Sequence, residues 1–460
     1  RVSENGVDVI SNSRFYVQGT SDTNEGDPAE WTGAQGDYAC FATEFETLHE
    51  ADYIVTYPYD RKAVHDGKVT GKLAVMQVAN KNNGDLYGTN NEYAGNYGFM
   101  MSTATHFVGG QNVGHFVLYP VFARLQFNVT HSTNQSDVQL QSIILKSKSG
   151  AKVFPTELEV SADVTPVGNY LDESKMAATE NNMTDQIALT VNGEKAPLDA
   201  STPQTFYLTV IPGTYATDDL ELKFVTNKGS YSLEPSGESV TWETGTYYPI
   251  NVDITEFEPN RDYIAADAYS WMQAMKNISN LTAGDGNQVD IRVAGEIQMT
   301  EAQFRAAAMD NNQNLNVIDG GNGSIVITDG LDDANVTNTL ATTTFNIPVT
   351  VNGNFTNLRN DENLTFGELK VTGDLYPNND PTNANYKKLV VNGGEVGGVT
   401  TYHASMQNAA MTLNNMTLKG LVTVSAMTGT GNSEETKTTK VNFNNCTFET
   451  GLTVADIWQG

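Results

Sequence analysis

Three stretches near the end of the chain can be laid over one another: LVVNGGEVGGV at 389–399, MTLNNMTLKGL at 411–421 and VNFNNCTFETG at 441–451. They share apolar residues at Leu389/Met411/Val441, Val391/Leu413/Phe443 and Val396/Leu418/Phe448, and an asparagine at Asn392, Asn414 and Asn444. A second apolar run follows each, at Val399, at Leu421 to Val424 and at Leu452 to Val454. The offsets are 22 and 30 residues, and the polar run MTGTGNSEETKTTK takes up the difference as a loop. A β-rich repeat of this size without helical period is the signature of a solenoid. Alternate residues of a strand share a face, so the apolar columns point inward together. The asparagine then stands at a corner, where Asn tolerates left-handed backbone and can pair from coil to coil. The plainer alternative is three unrelated β-hairpins of similar composition.

The repeat extends upstream. VTVNG (349–353) matches its apolar-x-apolar-Asn core, LTFGELKVTGDL (364–375) is a looser match, and strands begin near 287. A solenoid needs its open end covered. Ile264, Ala268, Trp271, Met275 and Ile278 recur at helical spacing, and this helix is read as the cap. Thr300 followed by Gln303 predicts a capping box for a second short helix, with Phe304, Ala307 and Ala308 inward. At the other end, either Trp458 closes the solenoid or the natural chain continues beyond Gly460.

Charge and cysteines remove other classes. With 26 basic against 55 acidic residues the net charge is −29, unsuited to nucleic acid or anionic lipid. The surface is read as acidic and solvated. Two cysteines, Cys40 and Cys446, form no disulfide framework, and Cys446 aligns with Met416 as a core filler. No apolar run is long enough for a membrane span. Sequons at Asn128, Asn182 and Asn415 are expected by chance in a chain so rich in Asn and Thr.

From residue 1 to about 257 short strands alternate with Gly-, Asn- and Asp-rich turns, the pattern of β-sandwiches. The 220–234 stretch reads as a hairpin around Asn227-Lys228-Gly229, and 240–255 as a last strand pair around Gly245. A boundary between two sandwiches is placed in the weaker stretch 150–203, and 255–263 is read as a linker.

YIVTYPY (53–59), VFARLQFNV (121–129) with VQLQSIIL (138–145), FYLTVIP (206–212) and 226–252, in that order and spacing, resemble the fimbrillins, subunits of Bacteroidales type V pili. The resemblance covers about residues 10–257. It implies transthyretin-like, Greek-key sandwiches, export as a lipoprotein precursor with a lipid anchor, and assembly with other pilus subunits by donor-strand exchange. In that exchange a neighbour's strand fills an apolar groove and an unpaired edge. An arginine-specific cut can open the groove in the family; Arg14 offers such a site, against the plainer reading of a surface arginine.

Chemistry is weighed against this. Parallel β-helices also carry polysaccharide lyases and glycosidases, which need paired carboxylates or an acidic calcium cluster with a base. Asp329, Asp332 and Asp333, and Asp361-Glu362 after Arg359, are such clusters, yet they are expected among 55 acidic residues. GGNGSIVIT (320–328) has Ile325 where a calcium nonapeptide needs Asp, and 310–321 has Leu315 where an EF-hand needs Gly. The histidines have no metal spacing. No catalytic, metal or cofactor residue is assigned. Tyr376, Tyr386 and Tyr402, in or near solenoid loops, are the candidates for stacking on sugar rings.

The sequence therefore predicts an all-β protein: a fimbrillin-like sandwich at 1–160, a second at 161–257, and a helix-capped parallel β-helix at 258–460. The expected role is a fimbrial tip or accessory subunit outside the cell, at the outer-membrane surface, whose solenoid binds host glycan or protein. The rivals are a lyase or glycosidase on a fimbrillin-like anchor and a structural surface protein without ligand.

Overall fold

A computed structural model describes residues 2–4, 7–10, 16–21, 38–42, 50–58, 64–65, 67–79, 97–108, 116–191, 196–281, 288–306, 313–332, 342–356, 364–378, 388–404, 410–427 and 440–457. Arg14, Asp333, Arg359, Asp361, Glu362, Tyr386, Trp458 and the 428–439 part of the polar loop lie outside them, as do Ala307 and Ala308. The chain is all-β apart from short helical pieces.

Eight strands form a β-sandwich: β1 (Met76–Ala79), β2 (Ala123–His131), β3 (Leu140–Ser147), β4 (Gln186–Val191), β5 (Gln204–Val210), β6 (Leu220–Thr226), β7 (Gly229–Leu233) and β8 (Tyr247–Ile254). One sheet has the order β7-β6-β3-β4-β1 and the other β5-β2-β8. Successive strands β2 and β3, and β4 and β5, lie in opposite sheets, as in Greek-key sandwiches. The alternation in β2 puts Leu125, Phe127 and Val129 inward, and Phe127 meets Phe224 edge-on at 5.6 Å.

The expected boundary at 160 needs correction. β2 and β3 take β4, β5, β6 and β8 as partners from its far side, and one apolar core runs from Val69 to Ile254. Neither half could cover its own inward residues. The strands flanking Gly245 do not pair with each other either. Ser239–Trp242 pairs with Gly213–Ala216, whereas β8 runs parallel to β2. The hairpin at Asn227-Lys228 forms as predicted.

β1 and β5 are the facing edges of the two sheets, and Gln77 bridges them. Its Nε2 donates to the Thr209 carbonyl at 2.7 Å and its Oε1 accepts from the Thr209 N–H at 2.9 Å. This buried amide imitates one peptide of a missing strand.

The solenoid begins earlier than expected. Asp262–Ala265, read as linker and helix start, is a strand that pairs in parallel with Gln288–Val293. Helix α1 (Ala268–Ser279) follows, N-capped by Asp267, and buries Trp271, Ala274, Met275 and Ile278. Helix α2 (Glu301–Phe304) has the Thr300/Gln303 capping box. From there parallel strands stack coil on coil along three faces. The aligned columns are register partners: Leu389 with Met411 and Val441, Val391 with Leu413 and Phe443, Val396 with Leu418 and Phe448. Inside, Trp271, Phe304, Phe345 and Phe366 stack with centroid steps of 5.6, 6.0 and 4.9 Å. At the corners Asn414 donates to Asn392 at 2.9 Å and Asn444 to Asn414 at 2.8 Å. The left-handed backbone falls one residue later, at Asn415 and Asn445, which also pair at 2.8 Å.

The cap has two layers. The outer face of the five-stranded sheet supplies Ile144, Ala188 and Val225, which are buried in the solenoid's core cluster with α1. Asn277 of α1 donates to Gln141 on β3 at 2.5 Å. Around this seam Asp262 sits 3.3 Å from both Lys146 and Lys223, and Arg292 3.3 Å from Asp185. Burial pushes the Asp262 carboxyl up, but the two lysines outweigh it and hold it below the ordinary carboxylate range.

Two outcomes follow. Gln77→Met, which keeps the bulk, leaves the buried Thr209 N–H and C=O unsatisfied and is expected to lower unfolding free energy by about 2–4 kcal/mol in urea titration. A carboxyl depressed in the folded state stabilises above its unfolded value near pH ~4, and that contribution is lost as pH falls through the folded value. Amide protection across 262–265, corrected for the intrinsic pH dependence of exchange, should therefore fall on acidification in the native protein, and Asp262→Asn should show the lowered protection already at neutral pH.

Candidate solenoid display faces

The outward residues of the solenoid are set by the same period that buries its columns. On the third face Thr356 pairs with Tyr376, and Thr401 with Thr423 and then Thr453. Leu375 pairs with Thr400, and the register shifts before the next pair, Asn378 with Tyr402. The result is a row rich in hydroxyls on a spacing of about 4.8 Å, begun by Asp332, the register partner of Thr356. The first face carries a similar row, Thr365, Val390, Thr412 and Asn442. The second is charged: Glu395 lies 3.1 Å from Lys370 and 2.9 Å from Lys419. Hydrogen bonds from Lys419 and then Lys370 hold its carboxyl below the usual range.

Of the three predicted tyrosines, only Tyr376 has its side chain among the described residues. Tyr376 is half-buried and its hydroxyl donates to Asp374 Oδ2 at 2.8 Å, while Asp374 Oδ1 accepts from Val399 N at 2.8 Å. Its phenol is thus tied into a corner, and the carboxylate that accepts its proton raises its pKa. Tyr402 takes the register position of Val424. Tyr386 lies outside the described residues. The threonine row, by contrast, was visible as the x of each apolar-x-apolar triplet, and sequence reasoning passed over it in favour of aromatic residues.

Two of the described acidic residues serve the backbone. Asp329 Oδ1 accepts from Glu301 N at 2.7 Å and so holds the start of α2. Asp319 Oδ1 accepts from Gly321 N at 2.8 Å and Gly323 N at 2.7 Å, fixing a corner. Among the described residues no three His, Cys, Asp or Glu side chains converge as metal ligands, and no helix is long and apolar enough to cross a membrane.

No family model matches the chain, and no curated protein matches it. Solved structures do. A proposed cell adhesion protein from Bacteroides uniformis is similar over 49% of this chain and 74% of its own, at 12% identity and TM-score 0.28. One from Bacteroides ovatus is similar over 53% and 83%, at 13% identity and TM-score 0.30. A fimbrial protein from Bacteroides ovatus is similar over 50% and 42%, at 12% identity and TM-score 0.20.

The Tyr376 tie is testable by carbon NMR of labelled tyrosine. Its ionisation should lie above the ordinary phenol value, and Asp374→Asn should bring it back down toward about pH 10.

Proposed function

We propose that this chain is a cell-surface protein of fimbrial type, a tip or accessory subunit that holds out a β-solenoid as a ligand-binding surface. The observation that carries the reading is the seam at Ile144, Ala188, Val225 and α1. A solenoid sealed onto a sandwich sheet is a rigid projection, and a repeating shaft subunit has no use for one. The fimbrillin-like strands at 121–145 and 206–252 point the same way. Assembly with other pilus subunits by donor-strand exchange belongs to this proposal. The edge shared by β1 and β5, where Gln77 stands in for strand backbone, is the place a neighbour's strand would enter.

The third face, with Thr401, Thr423 and Tyr376, is proposed to take host glycan or protein. The acidic residues engaged in corners and helix starts favour binding over lyase or glycosidase chemistry. Full-length chain and Thr423→Arg should be compared on glycan and matrix-protein arrays, with reducing-sugar and unsaturated-product assays alongside. Binding without turnover, lost in Thr423→Arg, is the expected result. Turnover would favour the enzyme reading, and absence of any binding the purely structural one.

A further inference from the structure

The sandwich has two outer faces, and among the described residues the solenoid covers the one on the five-stranded sheet. The other belongs to the three-stranded sheet β5-β2-β8, and its residues are the polar members of the alternation that builds the core. Register places Tyr207, Gln126 and Pro249 in one row, and Thr205, Asn128 and Asn251 in the next. Arg124 and Tyr247 lie beyond them. Tyr247 is 52% exposed, a large value for an aromatic residue within a strand.

These side chains hold one another in place. The Arg124 guanidinium lies 5.5 Å from the Tyr247 ring centroid and donates to its hydroxyl at 2.9 Å. Tyr207 meets Tyr247 edge-on, with centroids 6.3 Å apart. Asn128 donates to Asn251 Oδ1 at 2.9 Å and accepts from Gln126 at 3.3 Å and Thr205 at 3.0 Å. An amide has two donors and a carbonyl oxygen with two lone pairs. The array therefore leaves the Gln126 oxygen and the Asn251 nitrogen pointing to ligand or solvent, already oriented.

We infer that this face binds a neutral oligosaccharide. A pyranose offers an apolar face for an aromatic ring and a rim of hydroxyls for amides, and both are presented here side by side. Three strands and the span from Tyr247 to Asn251 make a platform roughly 10 Å by 13 Å, room for two or three sugar rings. Charge selects the occupant. In a chain of net charge −29 this face carries Arg124 and Asp253, which cancel, so it offers no net charge to draw in a polyanion or a polycation. The site is independent of the proposed solenoid face.

The test uses the full chain, with cellohexaose, xylohexaose and mannohexaose as probes, in saturation-transfer NMR and calorimetry. Binding of at least one probe is expected. Tyr247→Ala and Asn251→Ala should each weaken it about tenfold, while Tyr247→Phe, which keeps the ring, stays within about threefold. The titrations are repeated in the Thr423→Arg background, so that sugar held by the solenoid is not counted as binding to this face. Thermal melting of each variant separates lost contacts from lost fold. No saturation transfer up to about 10 mM overturns the inference. So does binding that persists in folded Tyr247→Ala and Asn251→Ala, binding only to an acidic probe such as oligogalacturonate, or self-association through this face in sedimentation.

Discussion

The architecture depends on a sheet that buries both its faces. In β3, Ile143 and Leu145 point into the sandwich and Ile144 points into the solenoid. β4 does the same with Leu189 and Ala188, and β6 with Phe224 and Val225. A solenoid's first coil would otherwise expose its core, and a helix covers one layer only. Here α1 is the inner layer and the sandwich the outer one. Each part supplies cover that the other lacks. The acidic Asp262 is tolerated at the rim because Lys146 and Lys223 compensate its loss of water.

Much of the solenoid was legible because stacking is parallel and in register. Position i of one coil meets the equivalent position of the next, so alignment of the sequence with itself is already a contact map. Asn392, Asn414 and Asn444 show this, and the structure adds the hydrogen bonds between them. The sandwich was legible in class but not in extent. Its pairs join residues such as Ser142 and Thr190, or Asn128 and Asn251, which no local pattern relates. The expected break at 160 followed composition, whereas the core follows pairing.

Other misreadings have local causes. Ile264 continues the helical spacing of α1 by coincidence, so a strand was taken for a helix start. The unbroken Ile143-Ile144-Leu145 run, in place of alternation, was the one local sign that β3 is covered on both sides. Tyr402 was read as a loop residue and occupies a strand position in line with Val424. Among binding candidates an aromatic residue draws the eye. Flat surfaces made of threonine or of paired amides become visible only once the register places their members side by side.

The three-faced ladder also decides how the protein answers a pull. Hydrogen bonds between coils run along the solenoid axis, so axial tension stretches them in line. Separating two coils requires the bonds of all three faces to yield together, with the aromatic stack and the asparagine pairs at the corners. Traction across the axis would instead open one face at a time, like a zipper. Resistance to load thus has a direction built into it, and the seam against the sandwich, held by packing, ion pairs and the Asn277–Gln141 hydrogen bond with no continuous ladder among the described residues, is where axial strain would first be relieved.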